Sequence, residues 1–218
     1  MDVKTHDAGR VLLINKPLKW TSFDVVNKLR YKLKTKKIGH AGTLDPLATG
    51  LLIICVGKMT KRIEEFMGQE KEYSGKFILG QTTPSFDLET AVTEKKDIKE
   101  ITPEMIVAAT RPFIGKISQL PPLHSAIRVG GRRAYEFARQ GKEIELKPRE
   151  IEILEFDITS ISLPEVSFRI VCSKGTYIRS VARDFGNALH VGAYLAELCR
   201  TRIGNFKLDA AITVDQAE

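Results

Sequence analysis

Long hydrophobic runs, paired cysteines and metal-ligand clusters are all missing from this sequence. Its longest apolar run, Leu51 to Val56, is far shorter than the roughly 20 residues a membrane helix needs. The first ten residues contain no apolar stretch of the kind that directs secretion. Together these absences predict a cytoplasmic protein with no membrane partner. Cys55, Cys172 and Cys199 are scattered and form no CxxC pair, so they are expected to be buried free thiols in a reducing compartment. His6, His40, His124 and His190 stand at no metal-ligand spacing, and no metal is expected.

What is present is a chain of 218 residues, 43% of them hydrophobic, enough for one domain or one domain with a sizeable insertion. Its formal charge of +7 fits a polyanionic partner, although charge alone serves solubility equally well. The basic residues are not spread evenly. Six lie between Lys28 and Lys37 with no acidic residue among them. From Ile127 to Glu150 there are seven basic residues against four acidic ones. Both stretches suit contacts to a phosphate backbone.

Residues Val11–Ile14 read as a short strand. Thr21 and Asp24 have capping-box spacing and open a helix whose Phe23, Val26, Leu29 and Leu33 recur at helical intervals. Residues 38–50 hold three glycines and a proline and read as a loop, followed by a buried strand at Leu51–Val56 and a short helix around Ile63 and Phe66. In the next stretch Tyr73, Gly75, Phe77 and Leu79 share one strand face by alternation. Residues 82–100 read as a polar loop, and Thr102-Pro103-Glu104 starts another helix. Pro121-Pro122 opens an excursion containing a strand, a Gly130-Gly131 turn and a helix ending at Gly141. Strands return at Ile151–Ile158 and Val166–Cys172. A helix is predicted over Tyr177–Leu189, a further one near Tyr194–Leu198, and a strand near Ile203–Leu208. Thr213 and Gln216 repeat the capping-box spacing with no helix after them, the pattern expected where a C-terminal segment is cut or missing. The interleaving predicts an α+β fold, a mixed and largely antiparallel sheet with helices packed on it.

Asp45 sits in the loop among Gly39, Gly42 and Gly50, which let the backbone bend tightly, with His40 and Thr43 supplying hydrogen bonds. Most loop aspartates only shape turns, but a carboxylate so placed, without metal ligands, fits a nucleophile or a general acid/base. Such a carboxylate needs a cation to stay ionised under a covering substrate. Arg179, at a helix start after the Ser-Lys-Gly-Thr-Tyr turn, is the candidate.

Five ordered segments carry a more specific message. They are INKPLKWTSFD (14–24), GHAGTLDPLATGLL (39–52), KEYSG (71–75), a long segment from Gln119 to Gly141, and CSKGTYIRSVARDFG (172–186). This series resembles the TruB family of tRNA pseudouridine synthases over most of the chain. The resemblance implies the pseudouridine synthase fold in a single catalytic domain, 1–218, with a thumb-like RNA-binding insertion at about 121–148 and no C-terminal PUA domain. It implies a cofactor-free isomerase acting on uridine 55 in the T arm of tRNA, and a monomer is expected. Asp45 matches the family's catalytic aspartate and Arg179 the arginine that pairs with it. Tyr73 matches the tyrosine that stacks on the target base and takes its C5 proton. His40 matches a histidine stabilising the flipped nucleotide, Tyr177 and Leu198 match residues lining the pocket, and Lys16 matches a lysine supporting the site. Whether Asp45 attacks C1′ or the base, or drives a glycal route, stays open, as do a synthase acting on another RNA and a tRNA-binding folding helper. The sequence departs from the family at Lys19, where glycine is usual, at Pro84 and Thr90 in the 80–90 loop, and at His124.

Overall fold

The computed structural model describes residues 9–125, 127–138, 140–142 and 144–218. In chain order the strands and helices are β1 (Arg10–Lys16), α1 (Ser22–Lys32), β2 (Ile38–Ala41), β3 (Ala48–Val56), α2 (Ile63–Gly68), β4 (Lys71–Leu79) and β5 (Gln81–Thr82). Then come β6 (Glu94–Lys95), α3 (Pro103–Ala108), β7 (Gly115–Gln119), β8 (Arg128–Val129), β9 (Arg132–Arg133) and α4 (Ala134–Ala138). The chain closes with β10 (Arg149–Ser162), β11 (Glu165–Cys172), α5 (Ile178–Ala188), β12 (Ala193–Ile203) and β13 (Phe206–Lys207). It divides into two compact units, one formed by the described part of Met1–Ser74 with Glu197–Glu218, the other by Gly75–Ala196.

The first unit is organised around β3. Its run Leu51–Val56 is apolar at every position because both faces are covered. Leu52, Ile54 and Val56 join Ile14, Val25, Val26, Leu29 and Leu33 in one core; Leu51, Ile53 and Cys55 join Ala41, Phe66 and Ile203 in another. β1 and β2 both pair antiparallel with β3, while Leu198, Cys199 and Arg200 of β12 pair parallel with Ala48, Thr49 and Gly50. The sheet is therefore mixed, as expected. Gly50 is obligatory at this junction: its φ is +101°, and a Cβ there would lie 2.4 Å from the Arg200 carbonyl oxygen.

In the second unit β11, β10 and β7 form an antiparallel ladder. A phenylalanine cluster fills it: Phe77 stacks on Phe168 with ring centroids 4.1 Å apart, and Phe113, Phe156 and Phe185 surround them. The expected Gly-Gly hairpin is present, with Val129 paired to Arg132 and both glycines at positive φ, the geometry of a two-residue turn. The described part of its helix is Ala134–Ala138. Arg139 and Glu143, counted in the charge of this segment, lie outside the described residues, as does His6.

Several expectations need correction. The stretch near Tyr194–Leu198 is strand β12, not helix: Tyr194, Leu195 and Leu198 have helical spacing, but the ladder that β3 offers from Leu198 onward overrides it. Residues 38–50 are not all loop, since β2 and the start of β3 enclose a true loop of only 42–47. Phe23 is 58% exposed, and Val25 takes its place in the core. The polar stretch 82–100 contains a short ladder between β5 and β6. The strand near 203–208 is interrupted at Gly204, with β13 beyond it. The capping boxes are both real. Thr21 and Asp24 cap α1 reciprocally, and Thr213 and Gln216 exchange the same bonds around a single turn. Among the described residues no helix is long and apolar enough to cross a membrane.

Candidate active site

The 42–47 loop leaves β2 and returns into β3, so its two ends are held by neighbouring strands. At its centre Asp45 starts a turn in which the Ala48 N–H donates to the Asp45 carbonyl at 3.0 Å. Buried polar side chains hold the main chain on either side. Ser22, 2% exposed at the start of α1, accepts from the Leu44 N–H at 2.8 Å and donates to the Leu44 carbonyl at 3.2 Å. Lys16, fully buried at the end of β1, donates to the carbonyls of Trp20 at 2.6 Å, Pro17 at 2.9 Å and Pro46 at 3.5 Å. Arg200 of β12, 1% exposed, donates from Nε to Leu51 O at 2.8 Å, from Nη2 to Gly42 O at 3.1 Å and from Nη1 to Thr43 O at 3.4 Å.

These burials set the electrostatics. Loss of water lowers Lys16 from 10.5 to about 8; the Asp45 carboxylate pulls it up, Arg200 pushes it down and Asp24 pulls it up. Folding thus favours neutral Lys16. Its charge costs stability below about pH 8, and that cost is relieved as pH rises from about 8 to 10.5. The charged form is nevertheless the one that donates to three carbonyls and faces Asp45. Single-turnover rates are therefore expected to fall as pH rises through about 8, by about tenfold per unit once Lys16 is neutral. Lys16→Met should be slower at pH 7 and lose that step. A wild-type rate that stays flat from about pH 7 to 9, spanning the lowered Lys16 value, would remove the requirement for its charge.

His40 lies on β2, and burial, followed by the Arg200 charge, lowers its pKa and keeps the imidazole neutral. Its buried Nδ1 has no hydrogen-bond partner among the described residues. Leu198 stands beside the end of the loop through its register with Ala48 and a 3.4 Å bond from Thr49 Oγ1 to its carbonyl. Tyr73 is 9% exposed on the inward face of β4, as its alternation predicts. The structure thus assembles Lys16 with Asp45, and His40 with Arg200, within the first unit.

The second unit carries Arg179 and Tyr177. Arg179, in the first turn of α5, is 4% exposed; its Nε lies 3.5 Å from Asp87 Oδ2 and its Nη1 is 3.5 Å from Ser85 O. Asp87 itself is 6% exposed, in a loop that Thr83 ties through a 2.7 Å bond to the Asp87 carbonyl. Thr90, one of the departures from the family pattern, meets Ser85 at 2.8 Å and braces the same loop. Tyr177 precedes α5; Gln119 bonds its N–H and carbonyl, and Arg149 lies over its ring at 5.5 Å. Arg183 pairs with its neighbour Asp184.

Sequence reasoning missed Arg200 and undervalued Asp87. Arg200 stands in Cys-Arg-Thr-Arg, which reads as surface charge, and no local signal marks it as buried. The departure at Lys19 has a clear reading: its φ is +68°, a conformation glycine adopts freely, and its N–H donates to Pro46 O at 2.8 Å. No group of three or more potential metal ligands is present among the described residues.

Comparison with known proteins first gives the class. The matched chain of a solved Cbf5–Nop10–Gar1 complex has a TM-score of 0.75 and 31% identity, covering 99% of this chain and 56% of that one, so this chain spans about half its length. A solved pseudouridylate synthase at 19% identity and TM-score 0.50 shares the fold. The fold is that of pseudouridine synthases, which are isomerases. The family follows. The model of the N-terminal domain of the TruB family of pseudouridylate synthases matches residues 30–178. The tRNA pseudouridine synthase B of Flavobacterium johnsoniae is 54% identical, covering 94% of this chain and 93% of its own, and that of Phocaeicola vulgatus is 54% identical over 95% and 91%. The chain belongs to the TruB family.

Proposed function

We propose that this enzyme converts uridine 55 in the T loop of tRNA to pseudouridine, with Asp45 as the nucleophile. The observation that carries the reading is the Asp45 loop, whose main chain on either side of Asp45 is fastened by buried Ser22 and Lys16. The 54% identity to enzymes named tRNA pseudouridine synthase B supplies the substrate class.

The reaction breaks the C1′–N1 bond, turns the uracil and joins C5 to C1′. The product is an isomer, so no redox partner or cofactor is needed. N1 ends protonated, and the C5 proton leaves to solvent. Positive charge develops at C1′ as the glycosidic bond breaks, and a carboxylate answers it as in retaining glycosidases. The uridine first leaves its stack, and Tyr73 replaces the lost stacking and takes the C5 proton. Arg179 is the cation paired with Asp45 during reaction, held by Asp87. His40 supports the flipped nucleotide, and Leu198 and Tyr177 wall the uracil so that it is retained after cleavage.

RNA is gripped by the 121–148 thumb and by the basic end of α1. The enzyme acts as a monomer on the T arm, in the cytoplasm. Arg132 and Arg133 are both exposed on the hairpin, Arg132 above the Phe137 ring at 4.7 Å. Reversing both charges to glutamate should weaken tRNA binding and reduce the slope of log affinity against log salt by about 2. An unchanged slope would mean the hairpin does not touch phosphate.

The whole reading is tested by tritium release from unmodified tRNA labelled at uracil C5, followed by mapping of the modified position. Release with modification at position 55 is the expected result. Binding without release would leave a tRNA chaperone, and release from another position a different substrate.

A further inference from the structure

Arg200 is buried differently from the two other cations placed in the site, Lys16 and Arg179. Lys16 has Asp45 and Asp24 in its field, and Arg179 faces Asp87. Among the described residues no carboxylate forms an ion pair with Arg200; its guanidinium is satisfied by carbonyl oxygens. Burying a guanidinium this way is costly, and an apolar side chain of similar volume would serve packing better. All three of its acceptors, Gly42, Thr43 and Leu51, lie on the segment carrying Asp45. They flank it, two before and one after. A different nitrogen serves each acceptor, so the match is to the planar fork of arginine, which a lysine does not reproduce.

The other buried groups complete the enclosure. Leu44 is held at both its N–H and its carbonyl by Ser22, and Pro46 at its carbonyl by Lys16. Around Asp45 the main chain is therefore fixed on both sides.

We propose that Arg200 is the positioning residue of the nucleophile loop: by holding the carbonyls of Gly42, Thr43 and Leu51 it sets where the Asp45 carboxylate stands. The inference rests on the reading of Asp45 as nucleophile. Arg200 itself does not touch substrate. It keeps the loop from relaxing as the uridine enters, so its loss is felt in the chemical step and not in RNA affinity.

The test compares Arg200→Met, Arg200→Lys, Ser22→Ala and the Ser22→Ala/Arg200→Lys double variant with wild type, with Asp45→Asn alongside. Single-turnover tritium release, tRNA affinity by filter binding and thermal midpoint are measured for each. Arg200→Met should slow release on the order of 100-fold, the scale of a misplaced reacting group, while tRNA affinity stays within about threefold. Arg200→Lys, which keeps the charge but not the fork, should be intermediate. Losses from Ser22→Ala and Arg200→Lys should combine less than multiplicatively, because both hold one loop. If Arg200→Met fails to fold, the lysine variant and the double variant carry the same expectation. A wild-type rate in Arg200→Lys, equal losses in rate and affinity, or strictly multiplicative losses would overturn the proposal. Retained release in Asp45→Asn would instead overturn the reading of Asp45.

Discussion

Asp45→Asn is expected to abolish tritium release, with a loss above about 1000-fold in single-turnover rate, while tRNA affinity and thermal midpoint stay near wild type. The substitution replaces one carboxylate oxygen by an amide nitrogen and removes both the proposed nucleophile and its charge. It leaves the loop's fastenings in place, because Ser22, Lys16 and Arg200 all bond main-chain atoms and the Ala48 N–H meets the Asp45 carbonyl, not its carboxylate. The measurement must include binding, since only a rate loss with intact affinity assigns Asp45 to chemistry. A variant with measurable turnover above background would move the nucleophile elsewhere.

Tyr73→Phe comes next in size. It keeps the ring on the inward face of β4 and removes only the hydroxyl. If that hydroxyl takes the C5 proton, turnover should fall by about 100- to 10,000-fold, the span of general-base catalysis, with tRNA binding unchanged. C5 proton loss should then become rate-limiting, so a deuterium isotope effect at C5 should emerge in the variant. Normal turnover without such an effect would reduce Tyr73 to a stacking plate.

Much of this architecture is readable where local chemistry decides the outcome. The capping box at Thr21 and Asp24, the alternation that turns Tyr73, Phe77 and Leu79 inward, the Gly130-Gly131 hairpin and the proline-started α3 all depend on residues within a few positions of one another. The motif around Asp45 was legible for the same reason. What was not legible depends on distant partners. Tyr194, Leu195 and Leu198 fit a helix until β3 offers a ladder, and that partner lies far back in the chain. Arg200 carries no local mark of its burial, because its acceptors are main-chain carbonyls that any sequence would supply. Asp87 matches the family pattern within a polar loop, but its partner could not be read there, because Arg179 lies far along the chain in α5. Phe23 failed for a subtler reason. Val25 and Phe23 are both plausible neighbours of Val26 on a helix face, and the position of β3 chooses between them.

The parallel join of β12 to β3 has a consequence for timing. The bonds from Arg200 to the Asp45 segment bridge 149 to 158 positions. At a synthesis rate of roughly 5–20 residues per second, the loop is made roughly 7–30 seconds before its clamp exists. A nascent chain therefore already carries the Asp45 loop but lacks the side chain that fastens its flanking carbonyls. If Asp45 and Arg200 act as proposed, RNA met before β12 is made encounters a loop that is present but not yet aimed.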